Sequence, residues 1–429
     1  MRSLTRPKSY YAASAHAVRD RAELDTSVDC DVCVIGGGIA GCSTSLHLAE
    51  RGYDVVLLEE FRIGWGASGR SGAQAIYGVA SGHLQLERLI GPDDARTVWD
   101  VSIEGLALMK HLIRQHQIDC DWADGYLLTA VKQRHLGELR TELEALQNKL
   151  GYPSVHHVSQ EELNTILGTK RYIGGLYDST SGHLHPLNYT LGLGAAAERC
   201  GARIFEGTRA LGFRETGAVA GAVRVRTPRG EVRTRHLVLC GNVYLKHTAP
   251  ALASKIMAIG SYIVATEPLG RERARALIGN NAAVCDMNWV LDYFRCSSDH
   301  RLLFGGRLSS MLDSSDAAQA TRARMLRVFP QLADAQIEYS WGGHVDVTMN
   351  RAPHFGRLAS NIYFLQGFSG HGIALTGIAG KLVAQAIAGT AERFDVFARI
   401  PHCDFPGGRA LRRPALALAM LYYRLRDLL

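Results

Sequence analysis

The sequence predicts an α/β protein with two interleaved domains, one built around a parallel sheet and one around an antiparallel sheet with helices. Three observations predict this fold class. Strand, turn and helix patterns occur near the start, the middle and the end of the 429 residues, and alternating apolar segments lie between them. Strands that alternate with helices indicate a parallel sheet, whereas short alternating segments indicate antiparallel strands. A chain of this length usually forms more than one domain.

The first pattern, "CDVCVIGGGIAGCSTSLHLAERGYDVVLLEE", predicts a Rossmann-like unit that binds a dinucleotide. A short apolar strand precedes Gly36, Gly38 and Gly41, which match G-x-G-x-x-G, and a helix and a second apolar strand follow. These glycines permit the tight turn, the approach of a pyrophosphate and the close packing of the helix. Glu59 ends the second strand, where a carboxylate can accept both ribose hydroxyls and would repel a 2′-phosphate.

Residues 1 to about 26 are predicted to form an irregular arm, and further elements follow in order along the chain. A glycine-rich loop with a short helix is expected over 61–83, and helical periodicity extends over 87–150. A helix that begins at Pro186 leads into two strands, and residues 256–310 alternate like an antiparallel sheet. The predicted domain boundaries are 27–86, 181–250 and 338–400 for the dinucleotide-binding domain, 87–180 and 251–337 for the substrate domain, and 401–429 for a helical tail.

Composition excludes several function classes. The net charge of +7 is spread along the chain, which argues against nucleic-acid binding, and no apolar run reaches the length of a membrane span. The N-terminus lacks the apolar core of a signal peptide, and nine scattered cysteines fit reduced thiols, so we expect a cytoplasmic protein. No Cys/His cluster has zinc spacing, so no metal is expected, and His156 and His157 are predicted to lie in a polar loop.

The tail carries an apolar stripe at helical spacing. The stripe consists of Leu418, Leu421, Tyr422, Leu425, Leu428 and Leu429. Such a helix either packs on its own chain or on another subunit, or lies on a membrane surface. Packing on protein is the commoner arrangement and is the one expected here, while the oligomeric state stays open.

Motifs along nearly the whole chain carry a family resemblance. They include "SYYAASA", "CDVCVIGGGIAG", "RIGWGASGRSGAQ", "GHLHPLN", "LVLCGN", "VLDYFR", "RLLFGGR", "WGGHVDVTMNRAPHFGRL" and "YFLQGFSGHGIALTGIAGKL". In this order they resemble the D-amino-acid-oxidase family of FAD-dependent amine oxidases, and within it they are most similar to γ-glutamylputrescine oxidases.

The resemblance implies FAD held in an extended form. The implied cofactor contacts, which include the fingerprint glycines, are Gly36, Gly38, Ile39, Ala40, Gly41, Glu59, Phe61, Arg62, Ala67, Ser68, Gly69, Arg70, Ser71, Gly72, Gln74, Ala210, Cys240, Gly241, Gly370, His371, Gly372 and Ile373. Some relatives attach flavin to a cysteine in the last third of the chain. None occurs here between Cys296 and Cys403, so FAD is expected to be non-covalent.

Two glycine-rich segments are expected to face the flavin ring. The resemblance implies that the stretch 68–74 runs beside the ring and that the turn 370–373 lies below its pyrimidine. That turn opens a long apolar helix, whose free amides suit the negative charge of reduced flavin. The His371 side chain either makes a structural hydrogen bond or has a separate role.

The resemblance also implies a reaction. A neutral amine would lose hydride to flavin, water would hydrolyse the imine to an aldehyde and ammonia, and molecular oxygen would be reduced to hydrogen peroxide. One alternative is a dehydrogenase that passes electrons to a membrane quinone and docks through its basic tail. Another is a flavin-binding subunit or sensor without turnover. The protein otherwise needs only a small-molecule amine as partner.

Substrate-side candidates come from the antiparallel segments. In "NWVLDYFRCSS", Trp289, Leu291, Tyr293 and Arg295 alternate along one strand face. Tyr293 and Arg295 are predicted to line the pocket and to hold a remote carboxylate, such as that of a γ-glutamyl group. The alternative for this face is packing within the core of the sheet.

Two further residues come from "WGGHVDVT". His344 lies near the place where oxidases of small amino acids carry an arginine for the substrate carboxylate, so a small α-amino acid substrate is disfavoured. His344 and Trp341 are weaker candidates than Tyr293 and Arg295, and either could be a packing residue. The predicted catalytic group is therefore Tyr293, Arg295, His344 and His371.

Overall fold

The computed structural model describes residues 5–17, 19–216, 222–307 and 314–406, together with residues 414, 418, 422, 426 and 427. The strands are β1 Val28–Ile35, β2 Val55–Leu58, β3 Gln74–Ala75, β4 Ala123–Ala130, β5 Val155–Ser159, β6 Gly174–His183, β7 Arg203–Phe205, β8 Gly212–Thr216, β9 Ala222–Arg226, β10 Glu231–Leu239, β11 Met257–Thr266, β12 Ala283–Asp286, β13 Asp292–Cys296, β14 Leu302–Arg307, β15 Ile337–Val347, β16 His354–Ala359 and β17 Ile362–Gln366. The helices are α1 Tyr10–Ala13, α2 Ile39–Ala49, α3 His83–Ile90, α4 Pro92–Gln115, α5 Gln133–Glu144, α6 Gln160–Ile166, α7 Pro186–Arg199, α8 Pro250–Ala253, α9 Arg271–Leu277, α10 Ser314–Val328, α11 Gly372–Ile387 and α12 Glu392–Ala398.

The first sheet contains the predicted dinucleotide-binding unit. Its strand order is β16-β17-β10-β1-β2-β7, and the β8–β9 hairpin is attached to β10. β1 pairs in parallel with both β10 and β2, as expected for strands linked by helices. Helices α2, α4, α7 and α11 pack together beside this sheet. The Rossmann-like part of the fold prediction is confirmed.

The second sheet is mostly antiparallel, as predicted for the other domain. Its order is β15-β11-β14-β13-β12-β4-β6-β3, with β5 attached to β6. β12 and β4 form a parallel pair. The structure corrects two of the predicted domain boundaries. β15, placed in the first domain by the boundary at residue 338, pairs with β11 along its length, and β3 pairs with β6.

Two local predictions are wrong. His156 and His157 lie in strand β5, not in a loop, because β5 pairs with β6 throughout. The N-terminal arm is not wholly irregular, since α1 begins after Ser9, whose hydroxyl accepts a hydrogen bond from the Ala12 amide. Tyr11 of this short helix is fully buried against Trp341, with ring centroids 5.2 Å apart. The arm is therefore part of the packed structure.

Of the helices in the described part of the chain, none is by itself long and apolar enough to cross a membrane, although α11 and α12 together reach that length and composition across a 117° bend. All nine cysteines are free thiols. Among the described residues, no group of His, Cys, Asp and Glu side chains is arranged to hold a metal ion.

Candidate cofactor and substrate site

Two cavities meet between the sheets. The first is a cleft over the turn between β1 and α2, and it is lined by residues from β2, from Thr208 to Ala210 and from Cys240 to Thr248. The second is a larger cavity of about 620 Å³ against the antiparallel sheet. Ala67, Ser68, Asn242, His344, Phe368 and Thr376 line both. The two cavities therefore adjoin, as the two ends of an extended dinucleotide site would.

The fingerprint turn has the tight backbone geometry that a pyrophosphate site needs. Gly36 has a φ of +110°, and a Cβ there would lie 2.8 Å from the carbonyl carbon of Cys240. A Cβ at Gly41 would overlap the carbonyl oxygen of Gly36, so α2 can lie close to β1 only without it. The Ile39 amide donates a 3.0 Å hydrogen bond to the Ser68 hydroxyl. The Ser68 hydroxyl thus faces the N-terminus of α2, where the free amides and the helix dipole favour an anion.

Glu59 lies at the end of β2, as predicted, and lines the cleft. Its carboxylate accepts hydrogen bonds from the Gly37 amide at 2.6 Å and the Phe61 amide at 2.8 Å. Burial raises the pKa of Glu59 to about 7, against the opposing effect of these two amides. Each oxygen retains a lone pair, so the carboxylate can bind the turn and a ribose hydroxyl together. Glu60 also lines the cleft and pairs with Arg209.

Arg62 is not on the cleft wall, in contrast to its neighbour Phe61. Its guanidinium lies 2.7 Å from Asp20 and 3.7 Å from Glu206, and these two carboxylates are its partners outside the cleft. Phe61 does line the cleft and stacks on Trp65 with ring centroids 4.1 Å apart. The predicted contact between Arg62 and the cofactor is therefore corrected to a structural ion pair with the N-terminal arm.

The stretch predicted to run beside the flavin ring does border the large cavity. Of its members, Ala67, Ser68, Arg70, Ser71, Gly72 and Gln74 line the wall. Gly69 does not, because it turns inward, where a Cβ would overlap the Gly64 carbonyl oxygen. Gly69 and Gly41 thus shape the backbone around the cofactor site without facing it.

Arg70 anchors this stretch to its surroundings. Its guanidinium donates to the Tyr244 hydroxyl at 3.0 Å and to the Gly342 carbonyl at 3.3 Å, and it lies 4.5 Å from the centre of the Trp65 ring. The Trp341 indole donates to the Arg70 carbonyl at 3.1 Å. Trp341 is buried and absent from the cavity wall, so it is a packing residue, which was one of the alternatives for it.

The predicted glycine turn lies at the start of α11, and Gly370, His371, Gly372 and Ile373 all line the large cavity. Asp346, which the sequence reasoning missed, holds this turn in place. Its Oδ2 atom accepts hydrogen bonds from the Gly367 and Phe368 amides, the latter at 3.0 Å. Burial raises the pKa of Asp346 to about 6. The only signal in the sequence was an acid in the apolar alternation of "HVDVT".

Tyr293 and His344 lie on the wall of the large cavity, as predicted. The Tyr293 hydroxyl lies 2.9 Å from the Ser261 hydroxyl. Its ring fits between two glycines, since a Cβ at Gly72 would lie 2.5 Å from the ring and one at Gly305 would overlap it. Tyr293 therefore joins the flavin-side stretch to the antiparallel sheet.

The prediction that Arg295 lines the pocket is wrong. It follows Tyr293 on the same strand face, but it is 3% exposed and does not line the cavity. Its guanidinium donates to the Tyr11 hydroxyl at 3.1 Å, the Cys296 carbonyl at 3.2 Å and His183 Nδ1 at 3.4 Å. The N-terminal arm covers this end of the strand face, so Arg295 is a buried structural residue and cannot hold a substrate carboxylate in this arrangement.

The loop before β13 forms another part of the cavity wall. Met287, Asn288 and Leu291 line the cavity, whereas Trp289 does not. Asp427 from the tail accepts hydrogen bonds from the Trp289 and Val290 amides, each at 2.9 Å. Asp427 therefore contacts its own chain, but Leu418 and Tyr422 of the apolar stripe are exposed, so packing of the stripe on protein stays a prediction. Leu421, Leu425, Leu428 and Leu429 of the apolar stripe lie outside the described residues.

Comparison with known proteins identifies the family. Residues 31–386 match the DAO family, described as FAD dependent oxidoreductase. The chain is 40% identical over 421 residues to gamma-glutamylputrescine oxidoreductase of Escherichia coli (strain K12), with 98% of each chain covered. It is also 40% identical over 425 residues to probable oxidoreductase OrdL of Haemophilus influenzae (strain ATCC 51907 / DSM 11121 / KW20 / Rd), covering 98% of this chain and 97% of the relative.

The fold agrees with this match. L-proline dehydrogenase from P. horikoshii superposes with a TM-score of 0.70 at 22% identity, covering 89% of this chain and 98% of the other. The cofactor is therefore FAD, and the fingerprint turn, Glu59, the 67–74 stretch and the turn before α11 are the residues that fit it. The chain belongs to the DAO family of FAD-dependent oxidoreductases.

Proposed function

We propose that this oxidoreductase acts on a primary amine of a γ-glutamyl-polyamine-type substrate, with γ-glutamylputrescine as the best candidate. The products would be an aldehyde, ammonia and hydrogen peroxide, with oxygen as the electron acceptor. The observation that carries the proposal is the 40% identity, over 98% of both chains, to a relative named gamma-glutamylputrescine oxidoreductase.

The residues around the large cavity support amine oxidation. Bound FAD would supply the hydride acceptor, and the chain would bind, orient and desolvate the amine. Tyr293, His344 and His371 are the polar groups where the flavin-side stretch, the sheet and the start of α11 converge. We assign them the orientation of the reacting amine. The free amides at the start of α11 would stabilise negative charge on the reduced cofactor.

An anaerobic titration of the purified holoenzyme tests the proposal. γ-Glutamylputrescine should bleach the oxidised-flavin absorbance, and it should do so faster than glycine or sarcosine at the same concentration. Admission of air should restore the absorbance and yield one peroxide per amine consumed. Denaturation should release intact FAD into solution, because the attachment is proposed to be non-covalent.

Four other results would each contradict one part of the proposal. Faster bleaching by glycine or sarcosine would refute the substrate assignment. Reduction by the amine followed by slow reoxidation in air would replace the oxidase by a dehydrogenase with another acceptor. If no amine bleached the flavin, a non-catalytic flavin-binding subunit or sensor would be the better description. Flavin that stayed with the precipitated chain would refute non-covalent binding.

A further inference from the structure

An aromatic group borders the large cavity beyond the flavin-side stretch. It consists of Tyr77, Trp99 and Tyr152, which are all buried. The Tyr77 and Tyr152 ring centroids lie 5.5 Å apart, and those of Trp99 and Tyr152 lie 5.4 Å apart. Tyr77 follows strand β3 directly, so the chain passes from the cofactor-side stretch into this group. Tyr77 and Trp99 both line the cavity.

A carboxylate faces the same part of the cavity. Glu142, in the last turn of α5, lines the cavity together with Tyr77 and Trp99 of the aromatic group. Tyr77 and Glu142 line the same cavity, and the charge of Glu142 adds to burial in raising the pKa of the Tyr77 hydroxyl. Burial raises the pKa of Glu142 itself, and no cationic side chain counters that effect.

Glu142 has no partner of its own among the described residues. The two buried aspartates of the cavity differ in this respect, because Asp286 accepts hydrogen bonds from Asn288 and Asp346 accepts them from the turn before α11. Glu138, one turn before Glu142, is solvent-exposed at the cavity edge. A half-buried carboxylate without a cation is costly unless a ligand neutralises it.

We propose that Glu142 and the aromatic group bind a second, non-reacting ammonium group of the substrate. Aromatic faces beside a carboxylate provide the electrostatic attraction and the weakly hydrated walls that an alkylammonium prefers. The α-ammonium of a γ-glutamyl group is a cation of this kind. This assignment rests on the proposed function for the identity of the substrate, and it replaces the anion contact that Arg295 cannot make.

The assignment predicts a preference for substrates that carry two amino groups. Binding at a point remote from the reacting carbon would fix the orientation of the amine and raise kcat/KM. Glu142 would then be a specificity residue, whereas Tyr293 and His344 face the reacting end. If the role of Glu142 were purely structural, its substitution would affect substrates with one and with two amino groups equally.

Two variants on the same helix form a matched pair for the test. E142Q removes the charge with little change of shape, and E144Q makes the same change at an exposed position outside the cavity. Each holoenzyme is assayed with γ-glutamylputrescine and with its α-N-acetyl derivative, which lacks the second cation. We expect E142Q to lower kcat/KM for the first substrate about tenfold, since a charge-assisted contact is lost, and to leave the second within about twofold.

A binding measurement separates this inference from the proposed function. Butyltrimethylammonium has no lone pair on nitrogen and cannot be oxidised, so isothermal titration of the oxidised holoenzyme measures its Kd alone. E142Q should weaken that Kd about fivefold or more, and E144Q should not. The melting temperature of unliganded E142Q should equal or exceed that of the wild type, because an unpaired carboxylate has been removed.

Equal losses of kcat/KM for both substrates, or an unchanged Kd for butyltrimethylammonium in E142Q, would overturn the assignment. If no amine reduced the wild-type flavin but the quaternary cation still bound in a Glu142-dependent way, the proposed function would fail and the cation site would stand. If the cation failed to bind to the wild type at all, the site would be refuted whatever the amine titration showed.

Discussion

The two halves of the site are built in different ways. The cofactor half is formed by backbone that lies close in sequence, since Gly36 to Gly41 shape the turn and Glu59 binds that turn through the Gly37 amide. The substrate half is assembled from distant segments, since the Tyr293 ring of β13 packs against Gly72 of the flavin-side stretch. The shape of the cofactor half is therefore determined mainly by local backbone geometry. The shape of the substrate half depends on how distant parts of the chain pack together.

This difference predicts which half tolerates substitution. At Gly36 and Gly41 in the cofactor half, the atoms that oppose an added Cβ are mostly backbone atoms, which cannot move without moving a strand or a helix. In the substrate half they belong mostly to side chains such as Tyr293, which can shift. Five substitutions test the comparison, beginning with the largest expected effect.

Gly41→Ala should be the most damaging. The new Cβ would overlap the Gly36 carbonyl oxygen, so α2 must move away from β1. We expect a loss of about 3 kcal/mol or more in the free energy of unfolding, at the upper end of overpacking effects, together with loss of FAD. Chemical denaturation and the flavin content of the purified protein measure the two effects.

Gly137→Ala is the matched control, since nothing lies within 4 Å of a Cβ at that position of helix α5. This substitution should stabilise the protein by about 0.5–1 kcal/mol through helix propensity. Equal stability and flavin content in the two alanine variants would show that the fingerprint turn is not as tightly packed as the structure indicates.

Arg295→Ala should destabilise the protein without changing its specificity. The variant loses the hydrogen bonds to Tyr11, His183 and Cys296 and leaves a buried gap, so we expect a cost of about 3 kcal/mol. The ratio of kcat/KM for γ-glutamylputrescine to that for an uncharged amine should stay constant. A selective loss for the acidic substrate would restore Arg295 to the substrate site.

These examples show how far the sequence could be interpreted. The fingerprint turn, Glu59 and the glycine turn before α11 could be predicted because their function depends on residues adjacent in the chain. Arg295 was misplaced because strand alternation gives a face but not what covers that face. Asp346 was missed for a similar reason, since the turn that it binds begins 21 residues later. Such pairings depend on the sheet, whose order the sequence does not specify.

Asp346→Asn should weaken the cofactor half from outside the fingerprint. The Gly367 and Phe368 amides would lose a charged acceptor, at a cost of about 2 kcal/mol, and FAD should dissociate more readily. A raised pKa means that the folded protein binds the proton more tightly than the unfolded chain does. The stabilising contribution of protonated Asp346 is therefore lost as pH rises from about 4 to about 6.

The pH dependence provides the control for this variant. Unfolding of the wild type and of D346N is compared from pH 4 to pH 8, and the difference between their free energies of unfolding should change as pH rises through about 6 and level off above that value. A difference that does not vary with pH would mean that Asp346 does not titrate there.

Gly305→Ala tests the substrate half directly. Its Cβ would overlap the Tyr293 ring, which must then shift into the cavity, so we expect kcat/KM to fall about tenfold while FAD is retained. Gly306→Ala is the control on the adjacent residue of β14, because its nearest neighbour, the Arg324 guanidinium carbon, would lie at 3.4 Å. Loss of FAD in G305A, or equal kinetics in both variants, would contradict the separation of the two halves.

Asp427→Ala should have the smallest effect, because it tests the contribution of the tail, which does not itself line the cavity. The chain end supplies the acceptor for the Trp289 and Val290 amides, and Lys132 binds the Asp427 carbonyl at 2.5 Å. The loop so held carries Met287 and Leu291 on the cavity wall. Without the carboxylate the loop should become more mobile, since two charge-assisted bonds at the protein surface together contribute about 1 kcal/mol. KM for the amine should rise about threefold, with kcat and flavin content unchanged.

This expected difference, in which KM rises while FAD binding is unchanged, follows from the way the two halves are built. A loss of flavin instead would show that the tail also supports the cofactor half, and an unchanged KM would show that the loop keeps its conformation without the tail.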